Sequence, residues 1–154
     1  MSERFEAAIR AIEDTLLAEG APAAKLRAVA EAIRGADARY SWAGFYLLRG
    51  DTLELGPYAG PATEHARIPI GRGVCGTAVE TGRNQIIEDV SECANYLSCS
   101  ATVRSEIVVL IRHDGEVLGL IDIDSDEVGA FGPDDERDLE RIAEQIAPVV
   151  SEVL

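Results

Sequence analysis

Asp122 and Asp124 occupy alternate positions in the run Val117-Leu-Gly-Leu-Ile-Asp-Ile-Asp-Ser125. On a strand, residues two apart share a face, so both carboxylates point one way while Ile121 and Ile123 point the other. Like charges held close together raise the pKa of at least one, which keeps a proton available near neutral pH. Glu106 opens the neighbouring predicted strand and reaches the same place. The competing reading is a strand end fraying into water with its carboxylates merely exposed, and the spacing supports both equally.

The other reactive side chains are three cysteines, Cys75, Cys93 and Cys99. An odd number of cysteines with no secretory leader argues against a disulfide framework. Their spacings match no zinc pattern and the two histidines, His65 and His113, stand apart from them, so no metal site is expected. Cys99 lies in the least regular stretch, Ser91 to Arg104. A thiol on a polar loop is more accessible than one in a core strand, although most loop cysteines do no chemistry. Trp42 and Tyr46, four apart on a predicted strand, share a face. They are either core or the apolar wall of a pocket suited to a thioether or methyl group. Gly71-Arg-Gly73-Val-Cys-Gly76 has the spacing of a dinucleotide fingerprint, but no strand–helix–strand unit surrounds it. Its glycines read instead as a tight turn from a strand into a short helix.

The elements that must position these residues follow from periodicity. Phe5, Ile9, Ile12 and Leu16 mark an amphipathic helix ending near Gly20, and Leu26, Val29 and Ile33 mark a second that stops at Gly35. From Tyr40 to Leu48 the residues are strand formers, turned by Arg49-Gly50-Asp51 into a strand from Thr52 to Leu55. Arg67 to Ile70 and Gln85 to Ile87 are short extended pieces. A hairpin joins Glu106–Ile111 to Val117–Ile123 through a turn at His113-Asp114-Gly115. Gly132-Pro133 and the acids behind it start a closing helix with Leu139, Ile142, Ile146, Val149 and Val153 as its stripe. The expected fold is α+β: a mostly antiparallel sheet of five or six strands, with the N- and C-terminal helices on one face and a ligand pocket on the other. Residues 1–154 form a single domain, and the helical stripes can also support a homodimer.

Composition narrows the functions. The chain has 154 residues, is 47% hydrophobic and carries 14 basic against 28 acidic residues. It can bury a core without disulfides. Residues 1–50 hold seven charges of each sign, so the entire excess of acid falls in the remainder. That field disfavours nucleic acid and anionic membranes as partners. No run approaches the roughly 20 apolar residues of a membrane span. The N-terminal Met-Ser-Glu-Arg-Phe-Glu-Ala has no apolar signal region, which predicts a cytoplasmic protein.

Taken together, Gly71-x-Gly-x-x-Gly, the Gln85 strand ending in Asp89-Val90 and the hairpin closing on Gly119-x-Ile-x-Ile resemble the GAF domain, a small-molecule-binding and sensory fold. A narrower resemblance rests on Trp42-Ala-Gly-Phe-Tyr46, Arg67-Ile-Pro-x-Gly-Arg-Gly-Val-Cys-Gly-Thr-Ala78, Ser105-Glu-Ile-Val-Val109 and Asp122-Ile-Asp-Ser125. These are similar to the free methionine-(R)-sulfoxide reductases. The resemblance implies reduction of free L-methionine-(R)-sulfoxide, with Cys99 as the attacking thiol and no bound cofactor. Cys75 would be its resolving partner, or Cys93 in its place, and a thioredoxin-type dithiol the reductant. Glu106, Asp122 and Asp124 would bind substrate against the aromatic wall of Trp42 and Tyr46. The family's third cysteine, just before Arg-Ile-Pro, is His65 here, and its His-Ile-Ala-Cys-Asp loop is Tyr96-Leu-Ser-Cys-Ser100. The alternative is a non-catalytic GAF module that binds a small ligand.

Overall fold

A computed structural model describes residues 3–93, 96 and 102–154; Cys99 lies outside the described residues. In chain order the elements are α1 (Glu3–Leu17), α2 (Pro22–Ala36), β1 (Trp42–Arg49), β2 (Thr52–Ala59), β3 (Arg67–Pro69), α3 (Gly73–Thr81), β4 (Gln85–Ile87), β5 (Ser105–His113), β6 (Glu116–Ser125) and α4 (Pro133–Val153). The strands form one six-stranded sheet in the order β3-β2-β1-β6-β5-β4, every neighbour antiparallel.

Strand alternation sorts the sheet into two faces. Ala43, Phe45 and Leu47 of β1, Ile107, Val109 and Ile111 of β5, and Ile121 and Ile123 of β6 all face α1, α2 and α4. The helices answer with Phe5, Ile9 and Ile12, with Leu26, Val29 and Ile33, and with Leu139, Ile142, Ile146 and Val150. Burial of this apolar stripe, rather than helix propensity, holds the layer together. The opposite face buries Trp42, Tyr46, Val108, Leu110 and Leu120 together with Val74, Cys75 and Ala78 of α3.

Several boundaries differ from the sequence expectation. The deepest residue at the end of α4 is Val150; Val149 and Val153 are half-buried. The reason is that a straight helix drifts off a strict three-and-four spacing. The second strand runs on to Ala59, because its partnering skips one residue at Gly56-Pro57 and so accommodates the proline at a bulge. Tyr40 falls just outside β1. Its ring stacks on Phe131 at 5.5 Å, and its hydroxyl donates to Asp135 Oδ1 at 2.6 Å. The other oxygen of Asp135 accepts the Gly132 amide at 2.8 Å, so one carboxylate caps α4 and ties it to the start of β1. Between β5 and β6, Asp114 and Gly115 take φ of 52° and 81°, the left-handed pair that a two-residue hairpin turn requires.

Candidate functional site

The register assembles the polar residues of the second face. Antiparallel pairing sets Trp42 opposite Asp124, and Asp124 opposite Glu106. One pleat along, Gly44 lies opposite Asp122 and Asp122 opposite Val108. Glu106 and Asp122 are therefore diagonal neighbours on adjacent strands, close enough for their side chains to meet. All three acids are buried, with Asp122 1% and Asp124 0% exposed. Neither aspartate belongs to a fraying strand end.

The third side of the cluster comes from α3. Gly71 and Gly73 have φ of 88° and 64°, conformations open to glycine at no cost, and the Gly71 amide donates to Gly76 O at 2.9 Å. This turn starts α3 directly over β5 and β6, and places Cys75 in the first helical turn, buried against the sheet. The Cys75 thiol lies 4.0 Å from Glu106 Oε2. Burial pushes the Asp122 carboxyl above the ordinary carboxylate range, while hydrogen bonds from Glu106 and Cys75 pull the other way. The direction is the one expected for paired acids, but the dominant cause is loss of water rather than repulsion between like charges.

Two aromatic residues wall the cluster. The Trp42 indole lies across Gly44, where an added Cβ would come within 2.6 Å of the ring, and it stacks on Tyr58 at 5.4 Å. Its Nε1 donates to Pro61 O at 3.0 Å, and Tyr46 Oη donates to His65 O at 2.9 Å. The segment 61–66 is thus pinned over the face at two points. Beneath it a narrow cleft bounded by Tyr46, His65, Cys75, Glu106 and Asp122 holds about 10 Å³ of open space. On the other side of Trp42 a cavity of about 60 Å³ is bordered by Thr102, Asp124 and Asp126. Of the residues singled out in the sequence, Cys75, Glu106, Asp122 and Tyr46 meet in the cleft, while Trp42 and Asp124 share the second cavity. Cys93 packs on the same apolar cluster as Cys75, and both are thiols.

Residues 23–151 match the family model for the GAF domain. A free methionine-R-sulfoxide reductase of Escherichia coli (strain K12) is 44% identical over 111 residues, covering 72% of this chain and 67% of that protein. The X-ray structure of the free methionine-R-sulfoxide reductase from Neisseria meningitidis in complex with its substrate superposes with a TM-score of 0.86 at 31% identity, covering 100% of this chain and 96% of the other. The type II enzyme from Thermoplasma acidophilum gives 0.83 at 37% identity over 85% and 93%. The chain belongs to the free methionine-R-sulfoxide reductase family of GAF-domain proteins. Members of this reductase family are oxidoreductases, and the GAF architecture is the one observed here.

Sequence reasoning passed over the part of this reductase-family site made by backbone. The carbonyls of Pro61 and His65 hold the two aromatic side chains, and no residue type at those positions announces a carbonyl's role. It also passed over Asp126, which bonds Thr102 at 3.1 Å beside the second cavity. The signal existed: Asp126 continues the alternation of Asp122 and Asp124.

Proposed function

We propose that the protein reduces free L-methionine-(R)-sulfoxide to methionine. The observation that carries this reading is the buried thiol and carboxylates of Cys75, Glu106 and Asp122 beneath Tyr46, in a chain related to reductases of that name. Cys99 attacks the sulfoxide sulfur as a thiolate, and the carboxyl cluster delivers a proton to the sulfoxide oxygen. The oxygen passes to the cysteine sulfur, so methionine leaves and Cys99 becomes a sulfenic acid. The Cys75 thiol, or that of Cys93, condenses with the sulfenic acid, and water departs as the disulfide forms. A thioredoxin-type dithiol returns both thiols by exchange and is itself oxidised.

The cleft's small volume requires segment 61–66 to lift as substrate enters. Asp124, beside Trp42, pairs with the α-ammonium of a free amino acid and so selects against peptide-bound residues. No helix among the described residues is long and apolar enough to cross a membrane. The reaction as written runs in a reducing compartment such as the cytoplasm, and a pair of chains associated through α1 and α4 is its working unit.

The test is NADPH consumption coupled through thioredoxin and its reductase, with the (R) and (S) epimers supplied separately. Turnover of the (R) epimer that disappears in Cys99→Ser supports the reading, and the weaker of Cys75→Ser and Cys93→Ser names the resolving thiol. No turnover with either thioredoxin or dithiothreitol overturns it in favour of a ligand-binding module.

A further inference from the structure

Cys75 Sγ, one oxygen of Glu106 and one of Asp122 all lie within 4.8 Å of one another, and all three residues are buried. The thiol-to-Glu106 separation is 4.0 Å. Around a tetrahedral zinc-class ion, with metal–sulfur bonds of about 2.3 Å and metal–oxygen bonds of about 2.0–2.2 Å, neighbouring ligand atoms sit about 3.4–3.6 Å apart. Roughly 1 Å of side-chain adjustment therefore converts the cluster into three legs of a tetrahedron. A second observation points the same way. Asp122 lines this cleft, and although its carboxyl bonds Glu106 and Cys75, its Oδ1 is buried with no hydrogen-bond partner among the described residues, an arrangement that costs free energy. The cleft holds about 10 Å³, the room of about one water or one ion.

We infer that Cys75, Glu106 and Asp122 form a binding site for a single thiophilic divalent cation of the zinc class. A soft sulfur with two carboxylate oxygens selects such an ion over magnesium or calcium, which need six or more oxygen donors. His65 borders the same cleft. Cysteine spacing could not reveal the site, because two of the three ligands are carboxylates brought in by β5 and β6. The site rests on this geometry and not on the reductase reading. Where both hold, ion and substrate compete for the same acids, and a metal-bound Cys75 is withdrawn from disulfide formation.

Cobalt(II) chloride, titrated anaerobically into the reduced full-length chain, tests the inference, because a cobalt–thiolate bond absorbs in the near-ultraviolet. One equivalent should saturate the band in the wild type and in the double variant Cys93→Ser/Cys99→Ser, whose only thiol is Cys75. The band should vanish in Cys75→Ser, and Asp122→Asn should weaken binding about tenfold or more. Circular dichroism confirms that each variant is folded. No band in the wild type, or a band that survives Cys75→Ser and is lost in the double variant, overturns the site. Turnover without cobalt binding defeats this inference alone, and cobalt binding without turnover defeats the reductase reading alone.

Discussion

The two faces of the sheet are built from the same strands by opposite rules. Along β6, Ile121 and Ile123 enter the helix-covered layer, while Asp122 and Asp124 enter the pocket layer. Every second residue is thus spent on stability and its neighbours on chemistry. The apolar face gains free energy from each contact it makes. The pocket face instead buries carboxylates, which cost free energy unless they are paired or neutralised. A sheet can carry that burden only because the opposite face is packed.

The largest effect belongs to the helix side. Phe45 is fully buried among the helices, so Phe45→Ala should cost about 3–5 kcal/mol. Urea denaturation reads the loss as a lower midpoint. Turnover per folded molecule, measured well below the midpoint, should be unchanged. A fall in turnover without a fall in stability would erase the division between the faces.

Asp122→Asn probes the other side. It keeps the shape and removes the acid, so turnover should drop about 100-fold or more, the contribution of a positioned proton donor. Stability should not fall, and its pH dependence should change in a set direction. The folded pKa of Asp122 is raised, so between the unfolded value of about 3.9 and the folded value the native state holds a proton that the unfolded state has released. The wild type therefore loses stability as pH rises through that window, by at most about 1.4 kcal/mol per pH unit. Denaturation with a chelator present, from pH 4 upward, should show the variant gaining on the wild type. A difference that stays flat with pH would mean that Asp122 is ionised in the native state.

This division explains what could be read in the sequence. Periodicity located α1, α2 and α4, because hydrophobic burial acts on every residue of an element at once, whereas α3 was legible only from its glycine turn and β3 and β4 only as short extended pieces. The alternation of Asp122 and Ile123 assigned each side chain to a face, because strand geometry leaves no choice. The meeting of Cys75 with Glu106 and Asp122 was not readable from spacing. It depends on where the turn at Gly71–Gly73 aims α3, a tertiary fact that joins Cys75 to Glu106 across 31 residues of sequence. The resemblance to a family brought those residues together in one list. It could not supply the 4.0 Å contact or the backbone carbonyls that pin Trp42 and Tyr46.

Two tyrosine hydroxyls, one on each side, give a finer comparison. Tyr40 donates to the buried Asp135 carboxylate at the start of α4. Tyr40→Phe removes a hydrogen bond to a charged group and should cost about 1.5–3 kcal/mol in denaturation, with KM unchanged. The Tyr46 hydroxyl donates to the backbone carbonyl of His65, on a segment that lies over the cleft. A neutral bond of this kind contributes about 1 kcal/mol, and the half-buried carbonyl recovers part of that from water. Tyr46→Phe should therefore barely move the denaturation midpoint. It should instead let segment 61–66 stand open in the substrate-free chain, so that closing over substrate must be driven by binding. KM should then rise by at most about fivefold, the equivalent of 1 kcal/mol, with kcat nearly constant. If kcat fell and KM held, Tyr46 would be acting on the reacting atoms, and the hydroxyl would belong with Asp122 rather than with the fastening of the segment above it.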